Sequence, residues 1–111
     1  MKKKFLAIYF VPAAALKEMM KASDEEKKAG MDGWTRWVEE NKKSIVDEGA
    51  PLGKTKSITA RGVSDAKNEI GAYTIVQADS HEAAAELFVG HPHFMLPGSS
   101  IEIMEFLPMD M

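Results

Sequence analysis

The strongest constraint in this sequence is an unbroken apolar run near its start, from Phe5 to Val11. Branched and aromatic side chains fill both alternating positions, which is typical of a β-strand buried on both faces. Pro12 lacks a backbone N–H and should end the strand. The flanking lysines and alanines also resemble a secretory signal, but the run is short and contains Tyr9, so we favour the strand. No other stretch approaches the roughly 20 apolar residues of a membrane-spanning helix.

Residues 13–48 are predicted to be helical in two pieces, and the first piece runs from Ala13 to Ala22. Ser23 and Glu26 have the spacing of a capping box, which predicts that a helix begins there. Gly30 and Gly33 predict a bend or break in that helix. The periodicity then predicts a helix from Trp34 to about Asp47. One face of this last piece carries Trp34, Trp37, Val38, Asn41 and Ile45.

The hydrophobic pattern and the turn residues in the second half of the chain predict three strands and one helix. The predicted segments are an edge strand at 53–60, a loop at 61–71, a strand at 72–78, a helix from Asp79 or Ser80 to about Val89, a loop at 91–99 and a strand at 100–107. The resulting order is β-α-β-β-α-β, with the long helical segment as the first α. Two right-handed β-α-β units folded into one four-stranded antiparallel sheet give a ferredoxin-like α+β fold. We expect residues 1–111 to form one such domain.

Both faces of the predicted sheet are apolar, which predicts a homodimer. Leu6, Ile8 and Phe10 point away from their neighbours in the first strand, and Met104 and Phe106 do so in the last. Helices in this fold cover only one face, so the other would expose apolar area worth about 25 cal/mol per Å². A second copy packed sheet to sheet removes that exposure. Alternatively, the C-terminal tail or the helical segment covers the second face.

Composition narrows the classes of function. The formal net charge of −3 argues against nucleic acid as a partner. The chain has no cysteine, which removes disulfides, thiolate nucleophiles, iron–sulfur clusters and sulfur-ligated zinc, and which fits a cytoplasmic location. No Ser-His-Asp pattern, paired carboxylates of recognisable spacing or nucleotide fingerprint is present. We therefore expect a protein that uses no cofactor and does not act at a membrane.

The best candidates for chemistry are His91 and His93, which we predict as catalytic residues. An extended chain would place both on one side, just after a helix end, and histidine titrates near neutral pH. The two rings could instead fill surface space. A metal site would require a carboxylate such as Asp79 or Glu102 to converge with them, and we expect no metal.

Aromatic residues provide the predicted ligand-binding set. Trp34 and Trp37 have helical spacing, which suits either the core or the wall of a pocket for a flat organic ligand. Asn41 lies on the same face and needs a hydrogen-bond partner or a ligand. We add Tyr9 and Phe94 to this set, and we expect a small aromatic or anionic ligand.

Three segments carry a resemblance to a known family: Lys3–Tyr9, Gly71–Ala84 and Gly98–Ile103. In these segments the chain resembles the YCII-related family of the dimeric α/β-barrel superfamily. The resemblance implies a ferredoxin-like protomer that pairs through its sheet, with a cleft between helices and sheet. A few relatives act on small aromatic compounds, and some carry a His–Asp pair with an inferred acid–base role. Where relatives have an Asp-Pro-Tyr-like turn, this chain has the turn from His91 to His93, so a histidine would replace the aspartate.

Two hypotheses for function follow. The first is a YCII-related, cofactor-free lyase or isomerase in which His91 or His93 transfers a proton. The second is a non-enzymatic homodimer that binds a small molecule or assists another protein. A histidine ring that lines a cavity beside Trp37 or Asn41 would favour the first, whereas a closed and fully packed interior would favour the second.

Overall fold

A computed structural model describes residues 2–108 of the chain. Over these residues it has an α+β fold with a four-stranded antiparallel sheet, a separate two-stranded sheet and three α-helices, so the predicted class is confirmed. The elements are β1 (Lys3–Phe10), α1 (Ala13–Lys21), α2 (Asp24–Glu40), β2 (Ile45–Asp47), β3 (Thr55–Thr59), β4 (Gly62–Ala66), β5 (Ile70–Ala78), α3 (His81–Glu86) and β6 (Ser100–Glu105). Short 3₁₀ turns lie at Lys42–Ser44 and Pro92–Met95.

The four-stranded sheet has the order β2-β5-β1-β6, with β1 paired to strands on both sides. The neighbouring strands satisfy the backbone of β1 at both edges, whereas its apolar run reflects its two faces, of which one is buried and the other half-buried. Phe5, Ala7 and Tyr9 are fully buried beneath the helices, in one core with Trp37 and Phe88. The first predicted strand and the strand at 72–78 are both confirmed.

Two predictions on the connection between α2 and β5 are wrong. The helix predicted to reach Asp47 ends at Glu40, and the fourth strand of the main sheet is β2, at Ile45–Asp47. Residues 53–60 contribute β3, but that strand pairs with β4 inside the predicted loop and stays outside the main sheet. The physical reason is that the open edge of β5 needs hydrogen-bond partners, and the branched residues just after the 3₁₀ turn supply them.

Helix α2 runs without a break through Gly30 and Gly33, so the predicted bend is wrong. Its start agrees with the capping box, because the Ser23 hydroxyl accepts a hydrogen bond from the Glu26 backbone N–H at 3.1 Å. A glycine inside a helix costs only about 1 kcal/mol relative to alanine, which 17 residues of continuous helix can absorb. A β-carbon at Gly33 would lie 3.4 Å from Pro92 Cβ, so the bare backbone allows the Pro92 turn to lie close to α2.

The far end of the chain differs from prediction in its boundaries. Helix α3 ends at Glu86 rather than near Val89, and the chain then turns at Gly90, whose φ is +76°. The predicted loop contains the Pro92–Met95 turn, and β6 ends at Glu105.

The second face of the main sheet stays accessible to solvent, because α2 and α3 pack on the face of Phe5, Ala7 and Tyr9. The molecule is accordingly flat, at 46 × 45 × 19 Å. Its radius of gyration is 15.7 Å, against about 13 Å for a compact domain of this length. The C-terminal tail, a predicted cover for this face, lies partly in residues 109–111, outside the described residues. The half-buried or exposed apolar side chains of this face are Leu6, Ile8, Phe10, Tyr73, Ile75 and Met104.

Among residues 2–108, every helix is too short or too polar to cross a membrane.

Candidate functional site

Both candidate histidines lie in the interior. Gly90 turns the chain after α3, and His91 then begins the 3₁₀ turn at Pro92, whose fixed φ suits the first position of a helix. This path carries the rings inward, so that His91 is 2% exposed and His93 is 5% exposed. The two side chains therefore lie in the core rather than on the surface.

Aromatic rings surround His91. Its ring centroid is 4.5 Å from that of Trp37, 4.6 Å from that of Trp34 and 5.2 Å from that of Tyr9. The Trp34 ring stands at 85° to the imidazole. We call these four residues, together with His93, the aromatic cluster. It brings together both catalytic candidates named from the sequence and part of the predicted ligand-binding set.

One ring nitrogen of His91 has a hydrogen-bond partner, and the other has none among the described residues. The His93 backbone N–H donates to His91 Nδ1 at 2.9 Å, so Nδ1 is unprotonated and Nε2 carries the hydrogen of the neutral ring. Among the described residues, the buried Nε2 has no hydrogen-bond partner. A buried donor without an acceptor costs about 1–3 kcal/mol. The faces of the neighbouring tryptophan rings are only weak acceptors, so this donor calls for an explanation.

Burial keeps both histidines neutral. Loss of solvation, with repulsion from His93 as a second cause, lowers the pKa of His91 to about 4. Burial also lowers the pKa of His93, although hydrogen bonds to the backbone of Phe10 and Ser100 oppose the shift. His93 Nε2 donates to the Phe10 carbonyl at 3.0 Å, which occupies that nitrogen. At neutral pH His91 can therefore donate a hydrogen bond, but it carries no extra proton to give as an acid.

Tyr9 belongs to the core rather than to an accessible surface. Its hydroxyl donates to Thr74 Oγ1 at 2.9 Å, and that hydroxyl in turn donates to the Glu48 carbonyl at 3.1 Å. Burial raises the pKa of Tyr9 to about 12, partly offset by the Thr74 hydrogen bond. The phenol is thus neutral and hydrogen-bonded inside the protein.

An open cleft of about 520 Å³ lies between α2 and the Pro92–Met95 turn. Three residues predicted from the sequence line it: His91, Trp37 and Phe94. We call this the His91 cleft. Its complete lining is Gly33, Arg36, Trp37, Glu40, Gly90, His91, Pro92, Phe94 and Met95.

The other predicted ligand-binding residues have structural contacts instead. Asn41 ends α2, and its Nδ2 donates to the Trp37 carbonyl at 2.9 Å, which supplies the partner that its position requires. Trp34 packs on Tyr9, with ring centroids 4.8 Å apart. Trp37, which does line the cleft, is held in place because its Nε1–H donates to the Leu87 carbonyl at 2.9 Å.

Sequence reasoning missed the helical side of the cleft. Gly33, Arg36, Trp37 and Glu40 have i, i+3, i+4, i+7 spacing, so they form one stripe of α2. This signal was present in the sequence. Arg36 and Glu40 are charged, so they do not belong to the apolar stripe of the helix. The predicted break near Gly33 also placed that residue outside the helix.

Phe94 also lines a smaller cleft of about 310 Å³. Its walls are mainly apolar and include Phe88, Ile101 and Ile103. Phe94 and Gly90 line both clefts.

Among residues 2–108, no three or more His, Asp or Glu side chains converge as metal ligands do. No protein-family model matches this chain, and no curated protein matches it. The YCII-related assignment therefore stays a prediction that depends on the sequence segments named above.

Proposed function

We propose that this chain is a ferredoxin-like, YCII-related protein that works as a homodimer and binds a small aromatic ligand in the His91 cleft without a cofactor. The strand order supports the fold. The β3–β4 hairpin lies outside the main sheet. If the four strands of the main sheet are renumbered 1 to 4 along the chain, they lie side by side in the order 2-3-1-4. Each pair of strands joined through helices is thus separated by one strand of the other pair, as in a split β-α-β arrangement.

The homodimer is supported by the apolar second face of the sheet and by the flatness of the protomer. A thickness of 19 Å corresponds to one layer of helices on one sheet, which leaves the other face without a layer of its own. Ile8 lies at the centre of that face, between Tyr73 and Glu102 on the neighbouring strands. A second copy bound about a twofold axis would bring the two Ile8 regions together.

Two matched variants test the homodimer. Ile8→Glu places a charge at the centre of the proposed interface, whereas Ile58→Glu places the same charge on the exposed β3 strand. Sedimentation velocity should find dimers for the wild type and for Ile58→Glu, and monomers for Ile8→Glu. A monomeric wild-type protein, or an Ile8→Glu variant that stays fully dimeric, would overturn this part of the proposal.

Ligand binding is supported chiefly by one observation, the buried Nε2–H of His91 that lacks an acceptor beside an open cleft. An oxygen of a bound molecule would supply the missing acceptor, provided that the side chains that cover this buried atom move aside. The neutral state of His91 suits this role, because a neutral imidazole donates without a charge that burial would penalise. Trp37 and Phe94 would contact the flat part of the ligand.

The test uses acetophenone, which has an aromatic ring and one carbonyl acceptor, with ethylbenzene as the probe that lacks the acceptor. We expect acetophenone to shift the indole N–H signal of Trp37 in two-dimensional NMR at lower concentration than ethylbenzene does. Gly33→Leu would fill the cleft and abolish the shift. Gly30→Leu is the control, since Gly30 is on the same helix and no atom lies within 4 Å of a β-carbon added there. If neither acetophenone nor a charged phenyl compound moves the Trp37 signal, the ligand site is refuted.

A second candidate, an isomerase or lyase, is favoured by the presence of Glu40 in the same cleft as His91. A carboxylate base and a neutral imidazole donor are a known combination for removing a proton next to a carbonyl. The proton would pass from carbon to the Glu40 carboxylate while the His91 N–H stabilises the enolate oxygen. The same proton would then move from Glu40 to that oxygen, which gives the enol and restores the carboxylate. Keto–enol interconversion of phenylpyruvate, followed by ultraviolet absorbance, tests this activity. A wild-type rate no greater than that of Glu40→Gln would leave only the binding function.

A further inference from the structure

Two opposite charges line the His91 cleft one helical turn apart. Arg36 and Glu40 are both on α2, with Trp37 between them in the sequence, and all three line the cleft. Both charged side chains are exposed to solvent. Residues four apart on a helix project from the same side, so the two charges face one bound molecule together.

Neither charge is paired within the described part of the chain. The ion pairs among residues 2–108 join Lys2 to Asp79 at 3.6 Å and Lys56 to Asp65. The order of charges in α2 also matters, because an acidic residue placed before the basic one makes the better i, i+4 pair, and here the order is reversed. The cleft therefore offers one cation and one carboxylate that remain available to a ligand.

From this arrangement we infer that the ligand is an aromatic compound with both a carboxylate and an ammonium group, as in an aromatic α-amino acid. The inference rests on the proposed function of the cleft. The forked guanidinium of Arg36 would bind the carboxylate through two N–H donors, and Glu40 would bind the ammonium group. The aromatic ring would pack between Trp37 and Phe94.

A ligand with a single charge fits this cleft less well. A carboxylate alone would gain the attraction of Arg36 but would also lie near the like charge of Glu40. An amine alone would gain the attraction of Glu40 but would also lie near the like charge of Arg36. The volume of about 520 Å³ is within the range of about 300–1,000 Å³ typical of small-molecule sites.

The experiment compares three probes that share a phenyl ring and a short alkyl chain: phenylalanine with both charges, 3-phenylpropanoate with the carboxylate and 2-phenylethylamine with the ammonium group. Dissociation constants come from the Trp37 indole N–H shift in NMR at low salt. Exposed ion pairs change affinity by about two- to fivefold each, so phenylalanine should bind about two- to fivefold more tightly than either other probe. Added salt should reduce this difference.

Variants assign each charge to its partner. Arg36→Gln should weaken phenylalanine and 3-phenylpropanoate by about two- to fivefold and should not weaken 2-phenylethylamine. Glu40→Gln should weaken phenylalanine and 2-phenylethylamine and should not weaken 3-phenylpropanoate. Glu39→Gln is the control, because Glu39 has the same charge and is outside the cleft lining; it should leave the order of the probes unchanged.

The outcomes separate this inference from the proposed function. If either single-charge probe binds as tightly as phenylalanine, the inference is wrong and the ligand site stands. The inference is also wrong, and the site again stands, if no charged probe shifts the Trp37 signal while acetophenone does. If acetophenone also fails, both the inference and the ligand site are overturned.

Discussion

The buried neutral state of His91 makes a specific prediction about stability and pH. In the unfolded chain the His91 ring has its ordinary pKa of 6.5, whereas burial lowers the folded value to about 4. Between these two values the unfolded state binds a proton that the folded state does not. The contribution of His91 to the free energy of unfolding is therefore complete above about pH 6.5 and is lost as the pH falls towards 4.

The magnitude follows from the two pKa values. Each unit of difference corresponds to about 1.4 kcal/mol, and most of the difference is already expressed at about pH 5. Moving from about pH 7.5 to about pH 5 should therefore lower the free energy of unfolding by about 2 kcal/mol through His91 alone. His93 should add to the loss in the same direction, because burial lowers its pKa as well.

Urea unfolding at the two pH values, at fixed protein concentration, measures this loss. The His91→Asn variant keeps a side-chain oxygen that can accept the His93 backbone N–H, but it does not titrate. Its loss between the two pH values should be smaller than that of the wild type by about 2 kcal/mol. Equal losses in wild type and His91→Asn would refute the reasoning.

Three further predictions concern stability at neutral pH. Gly30→Ala should raise the free energy of unfolding by about 1 kcal/mol in urea, because Gly30 is inside α2 and no atom lies within 4 Å of an added β-carbon. The same change at Gly90 should instead lower it, since the φ of +76° there strains any residue with a side chain; stabilisation at Gly90 would contradict this account. Tyr9→Phe should lower the free energy of unfolding by about 1 kcal/mol, because it removes the buried hydrogen bond to Thr74. A thermal midpoint equal to that of the wild type would show that this bond adds nothing.

The elements that follow local patterns were predictable from the sequence. The apolar run from Phe5 identified the central strand, because its branched and aromatic residues occupy both the buried face and the half-buried face of the sheet. The Ser23 capping box identified the start of α2, because its hydrogen bonds join residues only three apart. The class of fold and the apolar second face of the sheet were predicted in the same way, from local patterns of apolar and polar residues along the chain.

Part of the site was also within reach of the sequence. His91, Trp37 and Phe94 were named, and they line one cleft. Arg36 and Glu40 were not named, although their helical spacing from Trp37 was available. They become candidate site residues only because the structure places the Pro92 turn against that side of α2.

Contacts between distant parts of the chain decided the remainder. Residues 62–66 have no pattern that marks a strand, and they form β4 only because β3 lies beside them. Residues 45–47 continue the helical periodicity of the preceding segment, but the unfilled edge of β5 makes a strand there more favourable. The sequence by itself thus determined the buried strands, the helix start and the residue types available for a site. Only the tertiary structure decided that His91 is buried and neutral and that it lines the same cleft as two opposite charges, because desolvation depends on which side chains meet in space, and no local pattern records that.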